Sequence, residues 1–179
     1  MRTDLEVGGA RIELRQGDIT RQPDLDAVVN AANAELRPGG GVAGAIHRAA
    51  GPELDRACRP LAPIAPGEVV ATDAFGLPNR RVLHALGPVY GRDEPAADLL
   101  ASCYRAACRL AATEGLASLG TPALSTGVFG YPMDEAAEVA LTTVREALGE
   151  PSTLRVVRFV LFSADDLSRH AAVLERLAG

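Results

Sequence analysis

Apolar and polar positions along the chain alternate between the two-residue period of strands and the 3.6-residue period of helices. Residues 10–15 alternate strictly, which is typical of a strand with one exposed face, whereas residues 26–30 form a short apolar run typical of buried parallel strands. Residues 96–114 carry apolar side chains at helical spacing before Gly115, a common helix terminator. Further strands are predicted at 68–72, 81–86, 119–124 and 154–162, and further helices at 42–50, from Pro52 onward, at 134–148 and from a cap at Asp165 or Asp166 to Leu177.

Strands and helices alternate nearly from end to end, and neither a Pro- or Ser-rich linker nor an internal repeat divides the chain. This order predicts an α/β fold, a three-layer α/β/α sandwich with a central mixed, mostly parallel sheet. Pro122 falls inside the strand predicted at 119–124 and therefore favours an edge or terminal position there, because proline cannot donate to a strand ladder. We expect one domain over residues 1–179.

The composition, 47% hydrophobic and 23% charged over 179 residues, suits a globular domain with a full core. No apolar run approaches the roughly 18–20 residues that cross a bilayer, and the N-terminus lacks a signal-peptide pattern, so we expect a soluble, cytoplasmic protein. A net charge of −5 argues against a large non-specific duplex-binding surface. All 18 basic residues are Arg, which removes Lys as a catalytic candidate. Cys58, Cys103 and Cys108 lack metal-site spacing and are predicted to be buried small hydrophobic residues.

The unusual residues cluster where predicted strands end, which is where open α/β sheets bind ligands. Three segments have this position: residues 17–20, residues 30–33 with the following 39–47, and residues 122–132. The run Gly39–Gly41 leads into a helix and would expose successive N–H groups at the positive end of its dipole, which suits a phosphate. Ser125–Gly130 repeats this device, so two such loops would bracket a diphosphate. Neither loop is a Walker motif or a Gly-x-Gly-x-x-Gly fingerprint.

Each of these features also has a purely structural interpretation. A glycine run also serves a tight turn that needs positive φ. Asp18 would equally suit a helix cap before Thr20, and Asn30 and Asn33 would equally suit local capping of turn backbone.

Taken together, the segments resemble the macrodomain family, the ADP-ribose-binding fold. The resemblance covers about residues 5–177 and rests on five motifs in the family's order and approximate spacing. They are Gly17-Asp18-Ile19-Thr20, Val29-Asn30-Ala31-Ala32-Asn33, Gly39-Gly40-Gly41-Val42, His84-Ala85-Leu86-Gly87-Pro88 and Ser125-Thr126-Gly127-Val128-Phe129-Gly130.

The resemblance implies a role for each loop. Asp18 would accept a hydrogen bond from the adenine amino group, the Ile19 backbone would contact the base, and Phe162 would pack on its face. Asn33 would hydrogen-bond the distal ribose, which Phe129 would cover. The diphosphate would be held by Gly40, Gly41 and Val42 and by Ser125, Thr126, Gly127, Val128, Phe129 and Gly130. The residues expected to serve the reaction itself are Asn33, Gly41 and Phe129.

Three side chains near these motifs have a structural alternative of their own. Phe162 would otherwise be ordinary strand-end core. His47 follows the glycine loop and would lie on the helix surface or contact the site from behind. His84 is inside a strand and is expected to be structural.

One position departs from the hydrolases that the sequence resembles. MacroD-type enzymes have Asp in the step Gly-Val-Asp-Gly, and Ala43 stands there in this chain, so the obvious general base is missing. Related macrodomains, viral ones among them, share the Ala and still resemble hydrolases. The resemblance therefore favours a hydrolase that removes mono-ADP-ribose from acidic protein residues and also deacetylates O-acetyl-ADP-ribose, with the substrate's phosphate assisting water attack.

The main alternative is a non-catalytic reader of ADP-ribose, and a third is an enzyme for ADP-ribose on nucleic-acid ends or ADP-ribose-1″-phosphate. The expected partners are ADP-ribose and mono-ADP-ribosylated proteins, with no membrane, and with nucleic acid only as an ADP-ribosylated end. We expect a monomer that needs no cofactor and no metal.

Overall fold

The computed structural model describes all 179 residues and contains seven strands and five α-helices. The strands are β1 (Asp4–Val7), β2 (Ala10–Gln16), β3 (Ala27–Ala31), β4 (Val69–Asp73), β5 (Arg81–Ala85), β6 (Ser118–Thr121) and β7 (Val156–Leu161). The helices are α1 (Gly41–Ala50), α2 (Pro52–Cys58), α3 (Ala96–Thr113), α4 (Met133–Leu148) and α5 (Ala164–Ala178), with a short 3-10 helix at Arg59–Leu61. None of the helices is long and apolar enough to cross a bilayer.

All seven strands form one sheet in the order β1-β2-β7-β6-β3-β5-β4. The five inner strands are parallel, and β1 and β4 add antiparallel edges. Helices α1 and α2 cover one face over a cluster of 14 buried apolar residues, and α3, α4 and α5 cover the other over a cluster of 31. The predicted three-layer α/β/α sandwich with a mixed, mostly parallel sheet is confirmed.

Several element ends differ from the sequence-based prediction. Strand β1 was not predicted, since it is short and carries two acidic residues among four. Strand β6 ends at Thr121 and lies inside the sheet, so an edge position is wrong and the terminal position of Pro122 is right. Helix α5 is capped by Ser163, whose side chain accepts from the Asp166 N–H, and not by Asp165 or Asp166.

The alternation in β2 predicts an exposed Glu13, yet this residue is only 3% exposed. Its carboxylate is held by the guanidinium of Arg158 on β7, at 2.7 Å from Nε to Oε2, and by Arg11 at 2.7 Å. Arg158 also donates to Gln22 and Asp24 in the segment after β2. A buried ion pair therefore joins β2 and β7 beneath the loop that follows β2.

The chain order places a crevice between the carboxyl ends of β3 and β6, which are neighbours. The connection from β3 runs through α1 and α2 to one side of the sheet, whereas the connection from β6 runs through α4 to β7 on the other side. Parallel sheets bind ligands at such a reversal. The glycine loop after β3 and the 125–130 loop after β6 are the two walls of this crevice.

Candidate ADP-ribose site

The N-terminus of α1 is open to a ligand. Gly40 is its N-cap in an extended conformation (φ −86°, ψ −178°), and no side chain caps the helix or places a carboxylate in its first turn. The first N–H groups of a helix have no intrahelical partner, so here they face the crevice with the positive end of the dipole. A Cβ atom at Gly40 or Gly41 would meet nothing within 4 Å, and Gly41 has φ +56°. The turn interpretation of the glycine run is therefore correct at Gly41, and the open space beside Gly40 and Gly41 is compatible with the phosphate interpretation.

The loop after β6 is the opposite wall. It is closed by hydrogen bonds from Gly130 N–H to the Gly127 carbonyl (3.0 Å) and from Tyr131 N–H to the Ser125 carbonyl (2.9 Å). Ser125 has φ +67°, a left-handed conformation that is costly for serine, and its buried Oγ has no hydrogen-bond partner. Val128 at the tip is 99% exposed. A non-glycine residue held in the left-handed region is typical of a ligand clamp.

Gly87, after β5, is a residue to which sequence reasoning gave no role. A Cβ atom there would overlap Ser125 Oγ, so only glycine allows the serine to seat against this strand end. The signal was present in the quoted His84–Pro88 motif, but a single sequence does not reveal what a glycine faces.

The structure supports the capping interpretation of Asp18 and is compatible with its second role as an acceptor for the adenine amino group. Oδ1 accepts from both the N–H (2.9 Å) and the hydroxyl (2.7 Å) of Thr20. Oδ2 has only a distant 3.8 Å contact with the Arg21 guanidinium. These Thr20 hydrogen bonds lower the pKa of Asp18, so the free oxygen is that of an anion. One side chain thus shapes the turn with one oxygen and offers the other as an acceptor.

Phe162 is 92% exposed, so the strand-end core interpretation is wrong. It directly follows β7 and by strand alternation shares the face of Val160, which packs in the same apolar cluster as Ile19. The Gly17 N–H donates to the Leu161 carbonyl (3.0 Å), which places the Gly17–Thr20 turn beside this ring. A large aromatic face next to a carboxylate acceptor suits a purine base.

The carboxamide of Asn33 is bound on both sides by the backbone of Arg37. Oδ1 accepts from the Arg37 N–H (3.0 Å) and Nδ2 donates to the Arg37 carbonyl (2.9 Å). The turn-capping interpretation is therefore correct, and it leaves the second Nδ2 hydrogen as a free donor. Asn33 and the glycine loop are close, since a Cβ at Gly39 would lie 3.5 Å from Asn33 Nδ2.

Asn30, by contrast, does not cap turn backbone. Its Nδ2 lies 3.0 Å from His84 Nδ1, and His84 Nε2 lies 2.9 Å from Thr72 Oγ1. Since an amide nitrogen only donates, Nδ1 accepts and Nε2 carries the proton. Burial lowers the pKa of His84 to about 4, so the ring is neutral. The structural interpretation of His84 is confirmed.

His47 is buried, so the helix-surface interpretation is wrong. Neither ring nitrogen has a hydrogen-bond partner, and burial lowers the pKa of the ring below its ordinary value. Cys58, Cys103 and Cys108 are free and buried as predicted. Burial raises their pKa values to about 11, 12 and 12, which leaves the thiols protonated and unreactive.

An aromatic rim beside Phe129 was also missed from the sequence. The Tyr90 N–H donates to the Phe129 carbonyl (2.8 Å), and the rings of Tyr90 and Tyr131 lie 4.8 Å apart. The Tyr90 hydroxyl donates to Glu135 on α4 at 3.3 Å. Phe129 itself is partly buried against the smaller apolar cluster. These contacts fix the Phe129 backbone at the mouth of the crevice.

All the sequence-predicted binding residues lie at the carboxyl edge of neighbouring strands: Asp18, Ile19, Asn33, Gly40, Gly41, Val42, Ser125, Thr126, Gly127, Val128, Phe129, Gly130 and Phe162. The fold and these loops define an α/β domain with an uncapped helix N-terminus at the carboxyl edge of its sheet, flanked by the exposed ring of Phe162.

The chain belongs to the Macro domain family, whose model matches residues 29–140. It is 46% identical over 151 residues to a Macro domain-containing protein of Chlorobaculum tepidum, a match covering 84% of this chain and 88% of that protein. It is 44% identical over 169 residues to a protein of an Enterobacter species named O-acetyl-ADP-ribose deacetylase, covering 92% of this chain and 93% of that one. The resemblance to the macrodomain family is thereby confirmed.

Solved structures give the same result. An Oceanobacillus iheyensis macrodomain with ADP superposes with a TM-score of 0.94 at 40% identity, covering 97% of this chain and 95% of that one. A Trypanosoma brucei macrodomain in complex with ADP-ribose superposes with a TM-score of 0.85 at 41% identity, covering 91% of this chain and 68% of that one.

Proposed function

We propose that this protein binds ADP-ribose in the crevice and hydrolyses mono-ADP-ribose from acidic residues of proteins. The observation that carries the binding is the pair of loops at neighbouring strand ends: the uncapped helix N-terminus at Gly40–Val42 and the loop after β6, whose backbone is in the left-handed region at Ser125. Solved relatives at 40–41% identity hold ADP or ADP-ribose, which supports the same ligand here.

The exposed side chains orient the ligand. Adenine lies on Phe162 with its amino group donating to the free oxygen of Asp18. The diphosphate spans the two loops, and the distal ribose then reaches Asn33 and Phe129 at the crevice mouth. The aromatic rim of Tyr90 and Tyr131 lies beside the point where a modified protein would leave the site.

The reaction needs a water molecule placed at the anomeric carbon of the distal ribose. The water oxygen bonds to that carbon, the carbon–oxygen bond to the side chain breaks, and the protein carboxylate leaves as an anion. The proton of the water passes to a phosphate oxygen of the substrate, because Ala43 supplies no base and the first turn of α1 has no acidic residue. Asn33 donates its free hydrogen to the ribose, and orientation of this kind alone accelerates reactions by large factors. The same water would attack the acyl carbon of O-acetyl-ADP-ribose, the substrate named for the Enterobacter relative.

A non-catalytic reader is the second candidate, and the observation that favours it is Ala43. The residue is 5% exposed and lies in the first turn of the helix that faces the diphosphate. A site that binds ADP-ribose without a general base would retain modified partners instead of releasing them.

Asn33→Ala separates the two candidates. A substrate protein that is ADP-ribosylated on glutamate is incubated with the wild-type protein or with Asn33→Ala, and the released ADP-ribose is measured. Binding of free ADP-ribose to both proteins is followed by calorimetry. We expect the rate to fall about tenfold and the affinity about threefold, since one hydrogen bond is worth roughly 1 kcal/mol. Asn33→Asp is the matched control: it keeps the shape but turns an oxygen toward the Arg37 carbonyl, so it should be no better than Ala. Binding without release by the unmodified protein would identify a reader.

Ala43→Asp tests the missing base directly. The residue is at the third position of α1, where the helix dipole favours a carboxylate. We expect turnover to rise about tenfold, below the full contribution of a well-placed general base. Ala43→Asn, of equal size and without charge, should leave the rate near that of the unmodified protein. Equal rates for Asp and Asn would show that no base can act from this position.

A further inference from the structure

The orientation of the Asn33 carboxamide depends on the backbone of one residue, Arg37. Oδ1 accepts from the Arg37 N–H and Nδ2 donates to the Arg37 carbonyl. A flipped amide would place Nδ2 against the N–H donor and Oδ1 against the carbonyl acceptor, so the flip is disfavoured. One Nδ2 hydrogen is therefore always presented outward. The residues between, 34–36, form a loop held by Leu36, which is buried at φ +56°.

Arg37 is itself anchored to a different element. Its Nε donates to Oδ1 of Asp55 on α2 (3.0 Å), and the other carboxylate oxygen accepts from Arg59 (2.8 Å). The Asp55 side chain is 16% exposed, whereas those of Arg37 and Arg59 are 56% and 61% exposed. The hydrogen bond from Arg59 and the charge of Arg37 hold the pKa of Asp55 below its ordinary value, so this anchor stays charged at neutral pH.

We propose that Asp55 is a positioning residue for the distal-ribose end of the site, acting through the Arg37 guanidinium and backbone on the Asn33 carboxamide. This inference rests on the proposed function, because it assigns Asn33 to the distal ribose. Asp55 touches no substrate: helix α2 supplies a fixed point, and the ion pair keeps the 33–37 loop in the conformation that aims the free Nδ2 hydrogen.

Asp55→Asn tests the inference with little change in shape. The amide cannot form the charged pair with Arg37, so the 33–37 loop samples other conformations. The orientation of the Asn33 carboxamide is then no longer fixed. We expect kcat to fall about three- to fivefold with KM changed less than twofold, the range that a partly exposed ion pair can account for. ADP-ribose affinity should fall about twofold, less than on removal of Asn33 itself, while affinity for ADP, which has no distal ribose, should stay within the error of the measurement.

Arg59→Gln is the matched control, because it removes the other partner of Asp55 and keeps the Arg37 contact. We expect near-normal kcat and a normal ratio of ADP-ribose to ADP affinity. Arg37→Ala should reproduce Asp55→Asn, and the double variant should be no worse than either single variant, since both break one interaction.

Two results would overturn the role of Asp55. They are an unchanged ratio of ADP-ribose to ADP affinity in Asp55→Asn, whether neither affinity falls or both fall equally, and an effect of Arg59→Gln equal to that of Asp55→Asn. If the wild-type protein binds ADP-ribose but releases none from an ADP-ribosylated substrate protein, the hydrolase proposal fails. The ratio of ADP-ribose to ADP affinity still decides whether Asp55 positions Asn33.

Discussion

Gly40→Glu is expected to abolish ADP-ribose binding, with a loss of affinity of at least about a hundredfold. Gly40 has φ −86°, and a Cβ atom added there would meet nothing within 4 Å, so the free protein accommodates the side chain without strain. The new carboxylate would lie at the uncapped end of α1, compete for its N–H groups and repel the diphosphate. Two like charges about 4 Å apart cost roughly 4 kcal/mol near a protein surface, which is more than a hundredfold in affinity.

The control for this prediction is Gly40→Gln, which has the same size and no charge. We expect it to bind at least tenfold more tightly than the Glu variant, since its amide fills the crevice without repelling the ligand. Calorimetry gives the affinities, and thermal melting verifies that both variants are folded. Gly41→Glu is less informative because φ +56° adds backbone strain at that residue. Wild-type affinity in both variants would mean that the diphosphate lies away from α1, and an equal loss in both would mean that bulk and not charge excludes the ligand.

Most of the fold was predictable because its signals are local. The buried strand at 27–31 and the long helix at 96–113 carry their period in their own residues. Strand β1 lacks such a signal, since four half-polar residues form a strand only by pairing with β2. The position of β6 inside the sheet is likewise set by its neighbours β7 and β3 and not by its own sequence.

The candidate site was predictable as a set of loops but not as a set of contacts. The motifs place Asp18, Asn33 and the glycine run at strand ends, yet the partners of these residues are long-range or depend on loop geometry. Nothing in the sequence pairs Arg37 with Asp55, which lies 18 residues further along. The burial of His47 was also missed, because a histidine on an amphipathic helix gives no sign of which neighbours cover it.

Glu13 is the clearest case of a residue whose environment overrides its pattern, and it leads to the largest stability prediction. Arg158→Met is expected to lower the free energy of unfolding by about 3–5 kcal/mol, toward the lower end because Arg11 remains as a partner. The carboxylate would stay at 3% exposure without its main partner, and the bonds from Arg158 to Gln22 and Asp24 would be lost. Urea unfolding at constant pH measures the change through the midpoint and slope.

The pH dependence of this loss separates the ion pair from simple loss of packing. Burial raises the pKa of Glu13, but hydrogen bonds from Arg158 and Arg11 outweigh it and hold the pKa below its ordinary value. The unmodified protein therefore gains stability from Glu13 above the unfolded-state pKa and loses it as pH falls through the lower folded-state value. In Arg158→Met the effect of burial dominates and the pKa of Glu13 rises. As pH falls, Glu13 is therefore protonated and the destabilisation caused by its buried charge disappears. The stability gap between the two proteins should narrow between pH 7 and about pH 4.

The double variant Glu13→Leu with Arg158→Met is the control, because it removes both charges and fills the space with apolar groups. Replacing a buried pair in this way is often close to neutral, so we expect most of the lost stability to return at pH 7. We expect both variants to bind ADP-ribose more weakly than the wild-type protein, whatever their stability. Gln22 donates to the Asp18 carbonyl at 2.9 Å while accepting from Arg158 at 2.9 Å, so both variants lose a contact that supports the Gly17–Thr20 turn. A stability difference between wild type and Arg158→Met that is constant with pH would show that lost packing and not lost charge destabilises the variant. A double variant as unstable as Arg158→Met would show the same.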